Sequence, residues 1–295
     1  MSKLLLCTDM DRTLIPNGAS PEAPGARKMF SEICARPEIQ LAYVTGRHLG
    51  LVLEAIEEYQ LPTPDFAITD VGTKIYQFEP NFNQAWSVLE AWEAHIAKDW
   101  LNLSRQDLLA LLSPLIAVTP NMVLQEDDKQ NTHKLSFYCP MDLNPAPLID
   151  QAEALLAQAG IQASLIWSLD EPNHIGLLDV LPRHATKLHA IEFLQARLNL
   201  AQNQVVFAGD SGNDLPVLIS AIPAILVANA SDELKQQALA LSAQQHHQAA
   251  LYLAQNFEQD ASGNYAAGIL QGLAFYHPQY QAILAKMVQQ ISESA

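Results

Sequence analysis

The sequence predicts an α/β protein in which a parallel-sheet core is interrupted by an inserted α+β module. Short apolar runs alternate with segments of helical periodicity, which is typical of parallel strands joined by crossover helices. These runs lie on both sides of a central stretch, residues 81–182, that contains all four tryptophans. With 295 residues, 49% of them apolar, the chain is long enough for two domains.

The first part of the core, residues 1–80, is predicted to supply three buried strands at 4–8, 40–44 and 66–69. A helix opened by proline is predicted at 24–35, between the first two strands. The segment after Gly46 places four apolar side chains on one helical face, namely Leu49, Val52, Leu53 and Ile56. Strand and helix therefore alternate from the start of the chain.

The second part of the core, residues 183–295, is predicted to contain a helix from Lys187 and buried strands at 205–208 and 224–227. The tail from Ala266 onward returns to a helical pattern that can pack on the core. Inside the insert, residues 134–138 are predicted as a strand, and 149–159 as a helix ended by Gly160.

Charge and cysteine content restrict the partners and the compartment. The formal net charge of −16 argues against binding to nucleic acid or to an anionic membrane, because no run of basic residues offsets it. The three cysteines, Cys7, Cys34 and Cys139, have no metal-type spacing and indicate a reducing compartment. No apolar run approaches the ~18 residues of a membrane helix. We therefore expect a soluble, cytoplasmic protein.

The first predicted strand runs into Asp9-Met10-Asp11-Arg12-Thr13. Side chains alternate along a strand, so Asp9 and Asp11 are expected on the same side, at the carboxyl end where ligands bind. Two carboxylates this close repel each other unless a cation or a proton joins them. One can act as a nucleophile and the other, with a raised pKa, as acid and base. The alternative is a loop that only caps the next segment.

Two further strand ends carry polar clusters. Thr45, Gly46 and Arg47 combine a hydroxyl, a glycine amide and a guanidinium, which suits an anion, although for this motif alone an ordinary helix cap by Thr45 is the favoured interpretation. Residues 209–214 combine Asp210, Asn213 and Asp214 with two glycines, which suits a hard cation such as Mg²⁺. A calcium loop is the rival interpretation, but the long acidic run of such a loop is missing.

In order along the chain, Asp-x-Asp-x-Thr, Thr-Gly-Arg, Lys187 and Gly-Asp-x-x-Asn-Asp resemble the four motifs of the haloacid dehalogenase superfamily of phosphotransferases. The resemblance implies a Rossmann-like parallel-sheet core domain, residues 1–80 and 183–295. It also implies that residues 81–182 form an inserted α+β cap domain that reads the substrate, as in the sugar phosphatases of this superfamily.

The resemblance also implies roles for the motif residues. Asp9 would attack phosphorus and form an aspartyl-phosphate, while Asp11 would protonate the departing sugar oxygen and then activate water. Thr45 and Lys187 would hold the phosphoryl oxygens, with help from Asn213.

The cofactor that the resemblance implies is Mg²⁺. Its ligands would come from Asp9, the backbone carbonyl of Asp11, and Asp210. Asp214 would complete the metal site by orienting a ligand water or Lys187.

A narrower resemblance, to sucrose-phosphate phosphatases, is carried by Thr45-Gly46-Arg47 and by residues 70–76, 133–137, 179–182, 209–214 and 229–234. It implies that Gly46, Arg47 and Lys134 contribute to substrate binding. Two departures from the usual pattern are Arg12, where Asn or Gly is more usual, and Arg183-His184, where Lys-Gly is common.

The expected substrate is sucrose 6-phosphate or a related disaccharide or glycoside phosphate. Mannosylfructose phosphate and glucosylglycerol phosphate are alternatives, and a sugar-phosphate synthase is a candidate partner. Two other classes of protein stay open: a phosphomutase, and a non-catalytic protein that binds a sugar phosphate or a synthase.

Overall fold

The structure is a computed structural model that describes residues 3–80, 85–170, 173–256, 262–282, 284 and 285. Within these residues the strands are β1 (Leu4–Thr8), β2 (Ile39–Val44), β3 (Phe66–Thr69), β4 (Lys74–Glu79), β5 (Ala85–Val88), β6 (Val123–Leu124), β7 (Leu135–Pro140), β8 (Ala163–Asp170), β9 (Ile175–Pro182), β10 (Val205–Gly209), β11 (Ala224–Leu226) and β12 (Leu251–Leu253).

The α-helices of the same residues are α1 (Ala26–Cys34), α2 (Leu49–Tyr59), α3 (Glu90–Ile96), α4 (Arg105–Val118), α5 (Pro145–Gln158), α6 (Lys187–Arg197), α7 (Leu215–Leu218), α8 (Asp232–Gln244) and α9 (Tyr265–Tyr276). In the part of the chain that is described, none of these helices combines the length and the apolar character that crossing a bilayer requires. The helix predicted to open at proline begins instead at Ala26, after Gly25 in a left-handed conformation.

The chain divides into two compact units, Met1–Val88 with Lys187–Ala295, and Leu89–Thr186. The first boundary lies after β5 because this strand pairs with β4 and so extends the sheet of the first unit. The second boundary lies after Thr186, and the backbone N–H of His184 donates to Asp99 within the second unit. The sequence predicts boundaries at 80/81 and 182/183, within a few residues of these two units.

The first unit is built on an eight-stranded sheet in the order β12-β11-β10-β1-β2-β3-β4-β5. Pairing is parallel from β12 to β3, whereas β4 and β5 are added in antiparallel orientation. The predicted α/β class with a parallel sheet is confirmed. In this order β10, β1 and β2 are neighbours, so their carboxyl ends lie side by side at one edge of the sheet.

Two helices, α1 and α9, pack with one face of this sheet in a single apolar core. Helix α1 contributes Met29, Phe30 and Ile33, whose spacing places them on one helical face. Helix α9 contributes Ile269 and Leu273, both fully buried. Helix α9 is therefore part of the core that supports β1 and β2, whereas residues 283 and 286–295 of the predicted helical tail lie outside the described residues.

The second unit is an antiparallel sheet in the order β6-β7-β9-β8 with helices packed against it. Its apolar core joins Leu112 of α4 and Leu156 of α5 to Phe137 of β7 and Leu178 of β9. Helix α5 begins earlier than predicted because Asn144 accepts a hydrogen bond from the backbone N–H of Ala146 and caps the helix.

Candidate active site

Three neighbouring strands deliver polar residues to one edge of the first unit. Asp9 follows β1, Asp210 follows β10 and Thr45 follows β2. The backbone N–H of Asp9 donates to the carbonyl of Ala208 on β10, and that of Thr45 donates to Ile68 on β3, each at 2.9 Å. Strand pairing therefore fixes the starting point of each side chain at the site.

The central feature is a buried group that we call the carboxylate–lysine cluster, formed by Asp9, Lys187, Asp210 and Asp214. Oxygens of the three aspartates lie within 4.8 Å of one another, and all three side chains are buried. Lys187, 2% exposed at the start of α6, places Nζ 3.2 Å from Asp9 Oδ1 and 2.7 Å from Asp214 Oδ1. The same Nζ donates to Asn213 Oδ1 at 3.1 Å.

Asp214 organises the loop that follows β10. Its Oδ2 accepts hydrogen bonds from the backbone N–H groups of Asp210 and Ser211, each at 3.0 Å, and from the Ser211 hydroxyl at 3.1 Å. A Cβ atom on Gly209 would lie 2.6 Å from the Asp214 carboxyl group, so glycine is required there. This loop is therefore built around one buried carboxylate.

The charges of the cluster are unbalanced, because three buried carboxylates face one buried lysine and the largely exposed Arg12, whose Nε lies 3.4 Å from Asp210 Oδ2. Burial raises the pKa of Asp9 to about 7 against the opposing effect of Lys187, and burial together with Asp214 raises the pKa of Asp210 to about 6. Burial lowers the pKa of Lys187, but Asp214 and Asp9 outweigh burial and hold it above its ordinary value. Hard oxygen donors with excess negative charge fit a divalent cation such as Mg²⁺.

Asp11 points to a different set of partners. Arg47 donates through Nε to Asp11 Oδ2 at 2.7 Å and through Nη2 to Oδ1 at 2.6 Å, and Asn17 donates to Oδ1 at 2.7 Å. Burial raises the pKa of Asp11, but the hydrogen bonds from Arg47 and Asn17 outweigh burial and hold it below its ordinary value. The expectation of a raised pKa on Asp11 is wrong, and Asp9 has the raised pKa instead.

The backbone turn after β1 explains why Asp11 has these partners. Strand β1 ends at Thr8, and the chain then turns, with the N–H groups of Thr13 and Leu14 donating to the carbonyl of Met10. The strand alternation that was expected to put Asp9 and Asp11 on one side does not continue through this turn. Asp11 is thereby free to pair with Arg47.

Thr45 and Gly46 follow directly after the end of β2 at Val44. Thr45 is 1% exposed, and its Oγ1 accepts the backbone N–H of Arg47 at 3.2 Å. A Cβ on Gly46 would meet only Val71, at an ordinary 3.9 Å, so packing does not require glycine at that position. The Arg47 side chain, predicted to bind an anion, forms an ion pair with Asp11 in this structure.

Two residues of the site carried no predicted role. Thr13 donates its hydroxyl hydrogen bond to Asp210 Oδ1 at 2.9 Å, and Asn17 bridges Asp11 to the backbone N–H of Arg12. Thr13 could have been found, since it closes the first motif, whereas an asparagine in a loop gives no sequence signal. Arg12 places Nε 3.4 Å from Asp210 Oδ2.

Lys134, predicted to contact the sugar, belongs to the second unit and lies before β7. Its Nζ is 3.7 Å from Asp179 Oδ2, and Ser136 also donates to Asp179. The ring of His184, at the end of the same unit, lies 2.9 Å from Asp99. The first unit thus gathers the core-motif residues, while Lys134 takes part in a separate polar network.

The parallel sheet and the carboxylate–lysine cluster at its strand ends define the class of protein, a phosphatase of the haloacid dehalogenase superfamily. The family profile of sucrose-6F-phosphate phosphohydrolase matches residues 2–277. The chain therefore belongs to the sucrose-6F-phosphate phosphohydrolase family, as its motifs predict.

Individual relatives agree with this assignment. A HAD-like hydrolase from Nitrosococcus oceani is 49% identical over 280 residues, which are 95% of this chain and 73% of that protein. Sucrose-phosphatase 1 from Nicotiana tabacum is 28% identical over 243 residues, which are 80% of this chain. The chain spans only 52% of the length of that plant protein.

Among solved structures, the sucrose-phosphatase from Synechocystis sp. PCC6803, in complex with sucrose and phosphate, is similar with a TM-score of 0.69 at 26% identity. The similarity covers 94% of this chain and 98% of the Synechocystis chain. It therefore extends over residues of both units.

Proposed function

We propose that this protein is a Mg²⁺-dependent phosphatase that hydrolyses sucrose 6-phosphate, or a closely related disaccharide or glycoside phosphate, through an aspartyl-phosphate intermediate. The observation that carries the proposal is the buried Asp9 carboxylate, held 3.2 Å from Lys187 beside Asp210. Membership of the sucrose-6F-phosphate phosphohydrolase family supports the choice of substrate class.

In the first half-reaction a carboxylate oxygen of Asp9 forms a bond to phosphorus, and the bond between phosphorus and the sugar oxygen breaks. Asp11 is proposed to give a proton to the departing sugar oxygen, so this step needs its carboxyl group to be protonated against the hydrogen bonds from Arg47 and Asn17 that lower its pKa. Lys187 and the Thr45 hydroxyl donate to the phosphoryl oxygens. Preorganised donors of this kind stabilise the charge of the transition state without having to reorient.

In the second half-reaction Asp11, now a carboxylate, takes a proton from water, and the water oxygen bonds to phosphorus. The bond between phosphorus and Asp9 breaks, so inorganic phosphate leaves and the free carboxylate returns. The hydrogen bonds from Arg47 and Asn17 stabilise the ionised form of Asp11. They therefore favour this step, in which Asp11 acts as the base.

Asp9 and Asp210, with the backbone carbonyl of residue 11, would hold the Mg²⁺. Bound there, the ion neutralises charge on the phosphoryl group and on the two carboxylates. Asp214 has a different task, because four hydrogen bonds from Lys187, Asp210 and Ser211 already occupy its oxygens. We infer that Asp214 completes the metal site indirectly, by fixing Lys187 and the Asp210 loop.

The sugar is proposed to contact the second unit, with Lys134 among the contacting groups. Mannosylfructose phosphate and glucosylglycerol phosphate stay as alternative substrates, and a synthase partner stays a prediction. A phosphomutase would retain the phosphoryl group, whereas the proposed hydrolase releases inorganic phosphate. A non-catalytic binding protein would release none.

The test is a phosphate-release screen with Mg²⁺ across sucrose 6-phosphate, mannosylfructose phosphate, glucosylglycerol phosphate, trehalose 6-phosphate and hexose monophosphates. We expect turnover of sucrose 6-phosphate by the wild type and none by Asp9→Asn, while Asp232→Asn, an exposed aspartate on α8, retains full activity. Release from no substrate contradicts the proposed function, and substantial activity of the folded Asp9→Asn protein contradicts the nucleophile assignment.

A further inference from the structure

Asn229, in the segment after β11, reaches across to the turn that follows the nucleophile strand. Its Nδ2 donates to the backbone carbonyl of Arg12 at 2.6 Å, and its Oδ1 accepts the backbone N–H of Tyr265 at 2.9 Å. Because Oδ1 is occupied by a backbone donor, the amide can present only its NH₂ group to Arg12. The orientation of this side chain is therefore fixed.

The segments on either side of this contact, next to Asn229 and at the start of α9, are held by further hydrogen bonds. The backbone N–H of Ala228 donates to the carbonyl of Gly263 at 2.8 Å. Tyr265 is fully buried, and its hydroxyl donates to the carbonyl of Ser20 at 3.0 Å. Asn264 donates to the carbonyl of Pro21 at 2.9 Å. The start of α9 therefore holds the loop after Asp9 at its far end, and Asn229 holds it near the site.

Arg12 is the residue that needs such support. Its φ is 57°, in the left-handed region, which is unfavourable for an L-residue other than Asn or Gly. On one side Arg12 adjoins Asp11, and on the other Thr13, whose hydroxyl donates to Asp210 at 2.9 Å. A relaxation of the backbone at Arg12 would therefore move both the acid–base carboxylate and the contact to the carboxylate–lysine cluster.

We propose that Asn229 is a positioning residue for phosphate-ester hydrolysis, because it holds the carbonyl of Arg12 and so keeps Asp11 and Thr13 directed at the reaction centre. The inference rests on the proposed function. Asn229 acts through Arg12, and its own contacts are with backbone groups. A left-handed position is usually occupied by Asn or Gly. In this chain it is occupied by Arg12, whose carbonyl accepts a hydrogen bond from Asn229, more than two hundred residues away.

The kinetic test compares Asn229→Ala with Asn264→Ala, which removes an asparagine of the same support that does not contact Arg12. We expect kcat for sucrose 6-phosphate to fall by about tenfold or more in Asn229→Ala with KM changed less than about threefold, because misplaced catalytic groups act on the chemical step. Asn264→Ala should lose less than about threefold in kcat. Equal losses in the two variants would overturn the proposal.

A second comparison asks whether the effect passes through Arg12. In an Arg12→Asn background the left-handed conformation costs less, so adding Asn229→Ala should reduce kcat by only about threefold. A loss as large as in the wild-type background means that Asn229 does not act on the Arg12 backbone, and overturns the proposal.

A readout independent of activity separates this inference from the proposed function. The N–H groups of Thr13 and Leu14 donate hydrogen bonds to the carbonyl of Met10. Hydrogen–deuterium exchange of peptides covering residues 10–16 should accelerate about tenfold in Asn229→Ala and stay unchanged in Asn264→Ala. Unchanged exchange in Asn229→Ala overturns the positioning role even if the enzyme is active. Absence of turnover in the wild type, with exchange altered as expected, refutes only the proposed function.

Discussion

Replacing Asp214 by asparagine tests whether one buried carboxylate supports the whole site. Asp214 is completely buried and accepts hydrogen bonds from Lys187, from the Ser211 hydroxyl and from two backbone N–H groups. An asparagine has nearly the same shape but carries two donors and no charge. At least one of these four donors must then face another donor, and Lys187 keeps only Asp9 as a charged partner.

The expected loss follows from the kind of contacts that are removed. Breaking a buried ion pair from one side costs about 3–5 kcal/mol, because the remaining charge stays buried. In Asp214→Asn, Lys187 keeps Asp9 at 3.2 Å, which places the loss at the lower end of this range. We therefore expect the free energy of unfolding of the metal-free protein to fall by about 3 kcal/mol.

The assay is urea unfolding followed by circular dichroism, with Asp232→Asn as the matched control. Asp232 also pairs with a lysine, Lys235, at 3.2 Å, but its side chain is 92% exposed, so the change should cost less than about 0.5 kcal/mol. We expect a lower midpoint for Asp214→Asn at an unchanged slope. If Asp214→Asn unfolds at the same urea concentration as Asp232→Asn, the carboxylate does not support the site and the reasoning is refuted.

Three further predictions concern the same strand ends. Gly209→Ala places a Cβ 2.6 Å from the Asp214 carboxyl group, so thermal unfolding should show a clear drop in Tm together with loss of phosphate release; a Tm equal to wild type would contradict the packing argument. EDTA should abolish phosphate release and Mg²⁺ should restore it, because Asp9 and Asp210 carry excess charge; activity that survives chelation would contradict the metal role. In metal-free protein, burial raises the pKa of Asp9 to about 7 from about 4 in the unfolded chain. The folded state then binds the extra proton, so the contribution of Asp9 to stability is present below pH 4 and is lost as the pH rises to about 7. Relative to wild type, Asp9→Asn should therefore gain stability between pH 4 and pH 7 in urea unfolding with EDTA, and an equal difference at both pH values would contradict this.

Much of the fold was accessible from the sequence because the buried strands of the sheet are short and strongly apolar. Strands β1, β2 and β3 lie within a residue of their predicted positions. The position of Asp9, Thr45 and Asp210 just after neighbouring strands could also be predicted, since parallel strands place their carboxyl ends at one edge of the sheet. Strands β4 and β5 were not predicted, because their half-exposed residues give no continuous apolar run.

The contacts of the Asp11 side chain could not be predicted from the sequence, for a physical reason. Sequence spacing gives the alternation of a strand but not the residue at which the strand stops and the chain turns. The partners of Asp11, which are Arg47 on another strand end and Asn17 in a loop, depend on tertiary packing. The same holds for Asn229, whose contact with Arg12 joins two distant parts of the chain.

The division of the chain has an evolutionary consequence. All four members of the carboxylate–lysine cluster come from the unit that contains residues 1–88 and 187–295. The intervening stretch folds around its own apolar core. Mutations can therefore accumulate within that stretch, or whole segments of it can be exchanged between genes, without altering the groups that perform the bond-breaking chemistry.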